Sequence, residues 1–322
     1  MLTIEDAIQN FLRDRAVGQS AQTIETYAQG MRRFTEYLAS IHHAPTRAAS
    51  TLSVDHALGC ARWLSEERGI AKATLRTYLS ALARFYGYLL RERVVNLSAS
   101  DIERMREAYR QYRKGGGRRL PKLPPDEAIR ALIAAARAVK PSPQRPRLEL
   151  ARLRNIALLE ALRASGMRVG ELVTLKRDDL DHRQRAARVT GKGDKQRLVY
   201  FDEAAWEAIQ TYLRARNDGA RGRALYQMPV FARHDRRAST NVLPMTTESV
   251  RLVFRHLARA AGIEIVMTPH SLRHAFATKV LEATGDLAVV QDLLGHASPE
   301  TTRIYARVSS RRMRDAHRAA FG

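Results

Sequence analysis

Apolar residues recur at alternating steps of three and four along the first part of the chain, which is the spacing of one face of an α-helix. The segment 20–41 carries on such a face Ile24, Tyr27, Met31, Phe34 and Leu38. The same rhythm marks the segments 3–16, 53–67, 71–92 and 100–112. The pattern predicts a bundle of four or five helices over residues 1–113, with its aromatic stripes in the core.

Residues 114–125 interrupt the helical pattern. Three consecutive glycines at 115–117 are followed by Arg118, Arg119 and three prolines at 121, 124 and 125. Glycine and proline at this density exclude a continuous helix. We interpret the segment as a basic interdomain linker, which either tracks a phosphate backbone or serves as a solvated tether.

Helical patterns and one strand-like stretch follow the linker. Helical spacing marks the segments 126–139, 148–165, 202–217, 246–261, 271–283, 286–294 and 309–320, and a short helix should start near Val169. Asp126 is expected to cap the first of these helices and Gly166 to end the second. Between 186 and 200, apolar and polar residues alternate around the turn at 191–194, which predicts a β-hairpin with Lys192 near its tip.

The predicted fold class is therefore mainly α with a small β-sheet. Residues 1–113 would form an N-terminal helical bundle, 114–125 the linker, and 126–322 a C-terminal α+β domain that includes a tail over residues 310–321. No apolar run is long enough to cross a bilayer, and the N-terminus lacks the features of a signal peptide. We expect a cytoplasmic protein with no membrane association, in which the single cysteine, Cys60, is a core residue.

Charge narrows the range of functions. The chain of 322 residues carries 55 Lys and Arg against 33 Asp and Glu, a net charge of +22, and is 45% hydrophobic. A folded, strongly basic protein points to a polyanionic partner. Because the charge is spread along the whole chain, nucleic acid is a better expectation than an anionic membrane. Candidate DNA contacts are Lys72, Arg76, Arg84, Arg118 and Arg119.

Several familiar sites find no support. No glycine-rich phosphate loop follows a strand, which argues against a nucleotide cofactor. His270 and His274 are spaced like half of a zinc site, but residue 271 is Ser where the metalloprotease motif has Glu, and the single cysteine leaves few other ligands. No metal and no other cofactor is expected.

A scattered set of polar residues remains as candidate chemistry. His270 and Arg273 share a face at the start of a predicted helix, where an anion binds favourably. Arg168 begins another predicted helix, with Glu171 placed to orient it. Each residue alone has an ordinary interpretation as a surface charge, an ion pair, a helix cap or a packing side chain. In chain order these candidates are Arg168, His270, Arg273, His296 and Tyr305.

Taken together, these residues resemble the tyrosine recombinase (phage integrase) family, and its short Xer-like members most of all. The matching motifs, in the family's order, are Gly166-Met167-Arg168-Val169-Gly170-Glu171-Leu172, Gly191-Lys192-Gly193-Asp194-Lys195, His270-Ser271-Leu272-Arg273-His274, Leu294-Gly295-His296 and Tyr305. The front half is similar to the family's core-binding, SAM-like domain. Flanking positions such as Met167 differ from the residues that are usual in the family, which weakens an assignment to the subgroup that resolves chromosome dimers.

The resemblance implies an enzyme that cleaves and rejoins DNA strands at specific sites. Tyr305 would attack a phosphodiester, form a 3′-phosphotyrosyl link and release a 5′-hydroxyl. Arginine forks suit the extra negative charge of that transition state, because each can hydrogen-bond two oxygens at once. The resemblance assigns the phosphate contacts to Arg168 and Arg273, donation or proton transfer to His270 and His296, and the general acid to Lys192. Glu171 would hold Arg168 or a neighbouring histidine.

The resemblance also implies double-stranded DNA as the partner, clamped between two domains, and a homotetramer assembled on two paired sites. The tail 310–321 either docks on a neighbouring protomer or folds back on its own domain. A type IB topoisomerase-like relaxing enzyme and a catalytically silent DNA-binding protein are the alternatives. The sequence leaves open the DNA target, the accessory proteins, and the choice among integration, excision, dimer resolution and inversion.

Overall fold

Two compact units make up the chain, Met1–Arg119 and Leu120–Gly322. The structure, a computed structural model, describes residues 1–19, 21–113, 123–141, 144–191, 194–218, 224–235 and 242–295. None of the helices in these ranges combines the length and the apolar character needed to cross a bilayer.

The described part of the first unit contains five α-helices, one for each predicted segment. They are α1 (Ile4–Ala16), α2 (Ala21–Ser40), α3 (Val54–Arg62), α4 (Lys72–Arg91) and α5 (Ala99–Arg113). A π-helical turn, Trp63–Glu67, continues α3. Thr3 caps α1 through a reciprocal pair of hydrogen bonds with Asp6, which satisfies backbone N–H groups that the first turn leaves free.

Aromatic side chains form the core of the first unit, as the stripes predicted. Phe11, Phe34, Phe85 and Tyr86 are fully buried. Phe11 packs edge to face on Phe85, with ring centroids 5.5 Å apart, a favoured arrangement for aromatic pairs. Cys60 lies in the same core, 1% exposed, and burial raises the pKa of its thiol to about 12. This cysteine is therefore a packing residue, as expected.

The second unit is also mainly helical, and its sheet is small. Its described helices are α6 (Asp126–Ala138), α7 (Pro146–Ser165), α8 (Val169–Thr174), α9 (Glu203–Arg216), α10 (Thr247–Ala260), α11 (Pro269–Thr284) and α12 (Leu287–Leu294). Its strands are β1 (Leu180–Asp181), β2 (Ala186–Thr190) and β3 (Gln196–Tyr200). The predicted fold class, mainly α with a small sheet, is confirmed.

The sheet contains the predicted hairpin and one strand more. Strands β2 and β3 pair antiparallel with Val189 opposite Arg197, and β1 pairs with the other edge of β2. The two residues of β1 are too few to show an alternating pattern, so the sequence did not reveal it. At the turn, the Gly191 N–H donates to the Lys195 carbonyl at 2.8 Å. Lys192 and Gly193 lie outside the described residues.

Helix α7 lies at the centre of the second unit's core, with Leu158, Leu159 and Leu162 fully buried. It ends at Gly166, as predicted, in the left-handed conformation with φ of 60°. The expectation that Asp126 caps α6 is wrong, because Pro125 holds the cap position and Asp126 is already helical. The Asp126 carboxylate instead pairs with Lys279 at 2.8 Å.

Candidate active site

Arg168 is oriented by a carboxylate one turn further along the chain. It occupies the N-cap of α8, and its backbone N–H donates to Glu171 Oε2 at 2.7 Å. The Arg168 guanidinium donates through Nη1 to Glu171 Oε1 at 2.9 Å. The Arg168 side chain is 40% exposed, whereas the Glu171 side chain is 5% exposed. A buried, ionised carboxylate thus holds a cation that still reaches solvent.

Glu171 also accepts hydrogen bonds from a second arginine, Arg197, which lies outside the motifs found in the sequence. Arg197 on β3 donates through Nη1 and Nη2 to the two carboxylate oxygens of Glu171, each at 2.8 Å. Alternation along β3 puts Arg197 on the same face as Val199, which is 1% exposed. An arginine at an inward position of a strand was the available sequence signal, because buried cations need a partner.

Ionisation of Glu171 depends on these arginines. Burial alone would raise the pKa of the Glu171 carboxyl, but hydrogen bonds from Arg197 and Arg168 outweigh burial and lower the pKa below its ordinary value of 4.5. Glu171 therefore stays charged through the neutral range.

Arg273 is the most deeply buried of the predicted phosphate contacts, at 2% exposed. Its Nη1 donates to the Gly166 carbonyl at 2.7 Å, and its Nη2 donates to the Leu294 carbonyl at 2.8 Å. Thr268 caps α11 by accepting from the Ser271 N–H, which places Arg273 in the second turn.

The carboxyl end of α12 brings the three arginines together. Its last carbonyl groups have no partner within the helix. The Leu293 carbonyl accepts from Arg197 Nε at 3.0 Å, the Leu294 carbonyl from Arg273, and the Gly295 carbonyl from Arg168 Nη2 at 3.2 Å. Three successive carbonyls thus each accept from a different guanidinium, at the negative end of the helix.

Two histidines stand beside this cluster. His270 and His274 pack edge to face with ring centroids 4.3 Å apart. Desolvation, then the positive charges of Arg273 and Arg168, lower the pKa of His270 below 6.5. Desolvation and the neighbouring His270 and Arg273 lower the pKa of His274 to about 4. Both imidazoles are therefore neutral at pH 7, and each can form hydrogen bonds through its two ring nitrogens.

Some predicted residues fall elsewhere or outside the described ranges. Lys192, His296 and Tyr305 lie outside them, as do Arg118 and Arg119. Of the candidate DNA contacts on α4, Lys72 and Arg84 are exposed and Arg76 is half-buried. Of the site residues predicted from the sequence, the structure therefore brings together Arg168, Glu171, His270 and Arg273. It adds Arg197 to this cluster.

Glu171 gives the site a pH-dependent contribution to stability. Because its folded pKa is lowered, this contribution is present above pH 4.5 and is lost as the pH falls through the folded pKa. We expect Glu171→Gln to be less stable than wild type at pH 6, and the difference in free energy of unfolding to narrow as the pH is lowered below 4.5. Urea denaturation of both proteins across that pH range measures the free energies of unfolding. A difference between the two that does not change with pH would contradict the ion pairing of Glu171 with Arg168 and Arg197.

The turn after α7 has no room for a side chain. A Cβ on Gly166 would lie 2.3 Å from Cδ1 of Phe276, and φ of 60° is itself unfavourable for other residues. We expect Gly166→Ala to lower the free energy of unfolding by about 2–4 kcal/mol, from backbone strain plus overpacking. Gly170→Ala is the matched control, since nothing lies within 4 Å of its Cβ position in α8. Equal effects of the two substitutions in chemical denaturation would exclude the steric account.

Two protein-family models match most of the chain. The Phage integrase family model matches residues 125–312, and the model of the Phage integrase, N-terminal SAM-like domain matches residues 8–93. The first match alone covers more than half of the chain and includes every candidate catalytic residue.

Curated relatives match over almost their full length. The chain is 32% identical to the tyrosine recombinase XerD of Halalkalibacterium halodurans over 322 residues, covering 98% of each chain. It is 34% identical to the tyrosine recombinase XerD of Vibrio cholerae over 301 residues, covering 93% of this chain and 90% of the relative.

Solved structures share the fold at lower identity. The XerH site-specific recombinase in its post-cleavage complex with a palindromic difH substrate superposes with a TM-score of 0.66 at 21% identity, over 91% of this chain and 78% of that chain. The Tn1549 transposon integrase in complex with circular intermediate DNA gives a TM-score of 0.65 at 16% identity, over 95% of each chain.

Proposed function

The chain belongs to the phage integrase family and is a site-specific tyrosine recombinase, and from this premise we propose that the arginine cluster at the end of α12 is where it cleaves and rejoins DNA. Arg168 and Arg273 bind the scissile phosphate, and Tyr305 is the nucleophile. Lys192, His270 and His296 complete the site, and Glu171 holds Arg168.

One observation carries this proposal: Arg168, Arg273 and Arg197 all donate to successive carbonyls at the end of α12, and His270 stands beside two of them. Attack on a phosphodiester adds negative charge to its nonbridging oxygens. Cations that are already oriented stabilise that charge without reorganising during the reaction. Arg168, held by Glu171 yet 40% exposed, is the guanidinium best placed to reach a phosphate of bound DNA.

The reaction follows from the residue types. The Tyr305 oxygen attacks phosphorus, forming the 3′-phosphotyrosyl bond while the bond to the 5′-oxygen breaks. The tyrosyl proton passes to His270, which is neutral at pH 7 because its pKa is lowered. Lys192 donates a proton to the departing 5′-oxygen. A 5′-hydroxyl of a partner strand then attacks the phosphotyrosine and reseals the backbone, so no external energy source is needed.

Assembly follows from the chemistry of strand exchange. Exchange between two duplexes requires a nucleophile at each of four strands, so we propose a homotetramer on paired sites. Residues 1–113 would then act as the core-binding domain, with Lys72, Arg76 and Arg84 on α4 and the linker residues Arg118 and Arg119 near the DNA backbone. Phosphate contacts of this kind position a protein on DNA without reading its sequence.

A covalent-adduct assay tests the proposal. The protein is mixed with nicked duplexes taken from the DNA that flanks its gene, and denaturing gels reveal any protein–DNA adduct. Peptide mass spectrometry of the adduct should place the nucleotide on Tyr305, and pairs of duplexes should exchange strands. An adduct on another residue would refute the assigned nucleophile. An adduct accompanied only by supercoil relaxation would favour the topoisomerase alternative.

A further inference from the structure

Arg197 is bound on three sides by groups of the candidate active site. Its two terminal nitrogens reach both oxygens of Glu171 at 2.8 Å, and its Nε reaches the Leu293 carbonyl at 3.0 Å. The aliphatic part of the same side chain packs on the last turn of α12, where a Cβ on Gly295 would lie 2.9 Å from Arg197 Cδ. The Arg197 side chain is 13% exposed.

These contacts link three segments that are distant in the sequence. Arg197 itself is on β3, the strand that leaves the turn carrying Lys192. Glu171, on α8, orients Arg168. Leu293 lies one residue before the carbonyl that accepts from Arg273. A shift of the Arg197 guanidinium would therefore displace the Glu171 carboxylate first, and Arg168 through its hydrogen bond to Glu171.

Arginine is suited to this position in a way that lysine is not. A guanidinium presents its N–H groups in a rigid fork, so it can grip a carboxylate with two parallel hydrogen bonds and still donate a third through Nε. The amine of lysine is a point donor that cannot reproduce all three. Because Glu171 is 5% exposed, water would only partly replace a lost partner.

We infer that Arg197 is a positioning residue for strand cleavage: it holds the Glu171 carboxylate, and thereby the Arg168 guanidinium, in the orientation that meets the scissile phosphate. This inference rests on the proposed function, since it assigns Arg168 to the phosphate. Arg197 does not touch DNA in this account. It affects cleavage only through Arg168, which neutralises charge on the nonbridging oxygens of the phosphate.

The first experiment compares Arg197→Lys and Arg197→Gln with wild type on the nicked duplex that forms the adduct. We expect DNA binding to be unchanged and adduct formation to slow by about ten- to hundred-fold, by analogy with the loss caused by removing a group that orients a metal ligand. Arg188→Lys is the control, because Arg188 is exposed on the neighbouring strand of the same hairpin. Unchanged cleavage by both Arg197 variants would overturn the inference.

Modified phosphates separate positioning from a general loss of structure. A methylphosphonate at the cleavage site replaces one nonbridging oxygen with a methyl group, so the charge that Arg168 neutralises is reduced. A 5′-phosphorothiolate replaces the leaving oxygen with sulfur, which departs without a proton and relieves the need for Lys192. Arg168→Ala and Lys192→Ala serve as references for the two kinds of rescue.

We expect Arg197→Lys to regain cleavage relative to wild type on the methylphosphonate, as Arg168→Ala does, and to stay slow on the phosphorothiolate. Rescue on the sulfur substrate instead would show that Arg197 acts through the Lys192 hairpin, which overturns the inference. Rescue on neither substrate, together with a lower thermal unfolding temperature, would reduce Arg197 to a structural residue and overturn it too.

The reference variants also distinguish a failure of the inference about Arg197 from a failure of the proposed function, in which Arg168 binds the scissile phosphate. If Arg168→Ala cleaves the unmodified duplex at the wild-type rate, the proposed role of Arg168 itself fails. If Arg168→Ala is slow and rescued by the methylphosphonate while Arg197→Lys is not, only the inference about Arg197 fails.

Discussion

Replacing Tyr305 by Phe should abolish the covalent protein–DNA adduct and leave DNA binding intact. The substitution removes one oxygen, the atom proposed to bond with phosphorus, and keeps the aromatic ring. Loss of a nucleophile in covalent enzymes lowers the rate by more than about 10⁴-fold. The adduct should therefore fall below detection on a denaturing gel, while a gel-shift assay gives the wild-type affinity.

Tyr226→Phe is the matched control for this experiment, because Tyr226 belongs to the same unit and is 55% exposed. It should form the adduct at the wild-type rate. Wild-type levels of adduct with Tyr305→Phe would show that another residue attacks the phosphate. Loss of DNA binding together with the adduct would instead show that Tyr305 contributes to complex formation.

Replacing Arg168 by Ala should slow adduct formation by about 10²–10³-fold, the usual cost of removing one donor that stabilises developing negative charge. The fold should tolerate this change. Glu171 keeps both hydrogen bonds from Arg197 and the one from the backbone N–H of residue 168, so no buried carboxylate is left without partners.

Single-turnover cleavage of the nicked duplex measures this effect separately from binding. Arg130→Ala is a suitable control, since the Arg130 side chain is 70% exposed and pairs only with Glu127 at the surface among the described ion pairs. Arg168→Lys should recover little activity, because a lysine cannot reproduce the donors that meet Glu171, Gly295 and a phosphate oxygen together. Near-normal cleavage by Arg168→Lys would mean that charge alone suffices.

Arg273 differs from Arg168 in what its removal would disturb. Arg168 donates to one carbonyl and to a carboxylate that has a second partner. Arg273 is 2% exposed and donates hydrogen bonds to the Gly166 and Leu294 carbonyls. Truncating Arg273 would leave buried acceptors unsatisfied, which costs stability as well as catalysis. For this reason Arg168 gives the cleaner test of phosphate binding.

Local order was predictable from the sequence. The stripes at three- and four-residue spacing predicted each of the five helices in the described part of the first unit, because burying one face of a helix requires apolar residues at that period. Gly166 marked the end of α7, since the left-handed conformation there excludes most other residues. Alternation around residues 191–194 located the hairpin, and the order of the motifs identified the family.

Contacts between distant segments were decided only by the tertiary structure. The sequence placed Arg168 beside Glu171, three residues apart on one helical turn, but it could not show that Arg197 completes that pair from β3. Nor could it show that Arg273 would be buried against carbonyls 107 and 21 positions away. Hydrophobic periodicity specifies which face of an element is buried. Which partner meets that face depends on how the elements pack, and the three carbonyls at the end of α12 acquire their arginines only once α7, α8, α11 and β3 are in place around them.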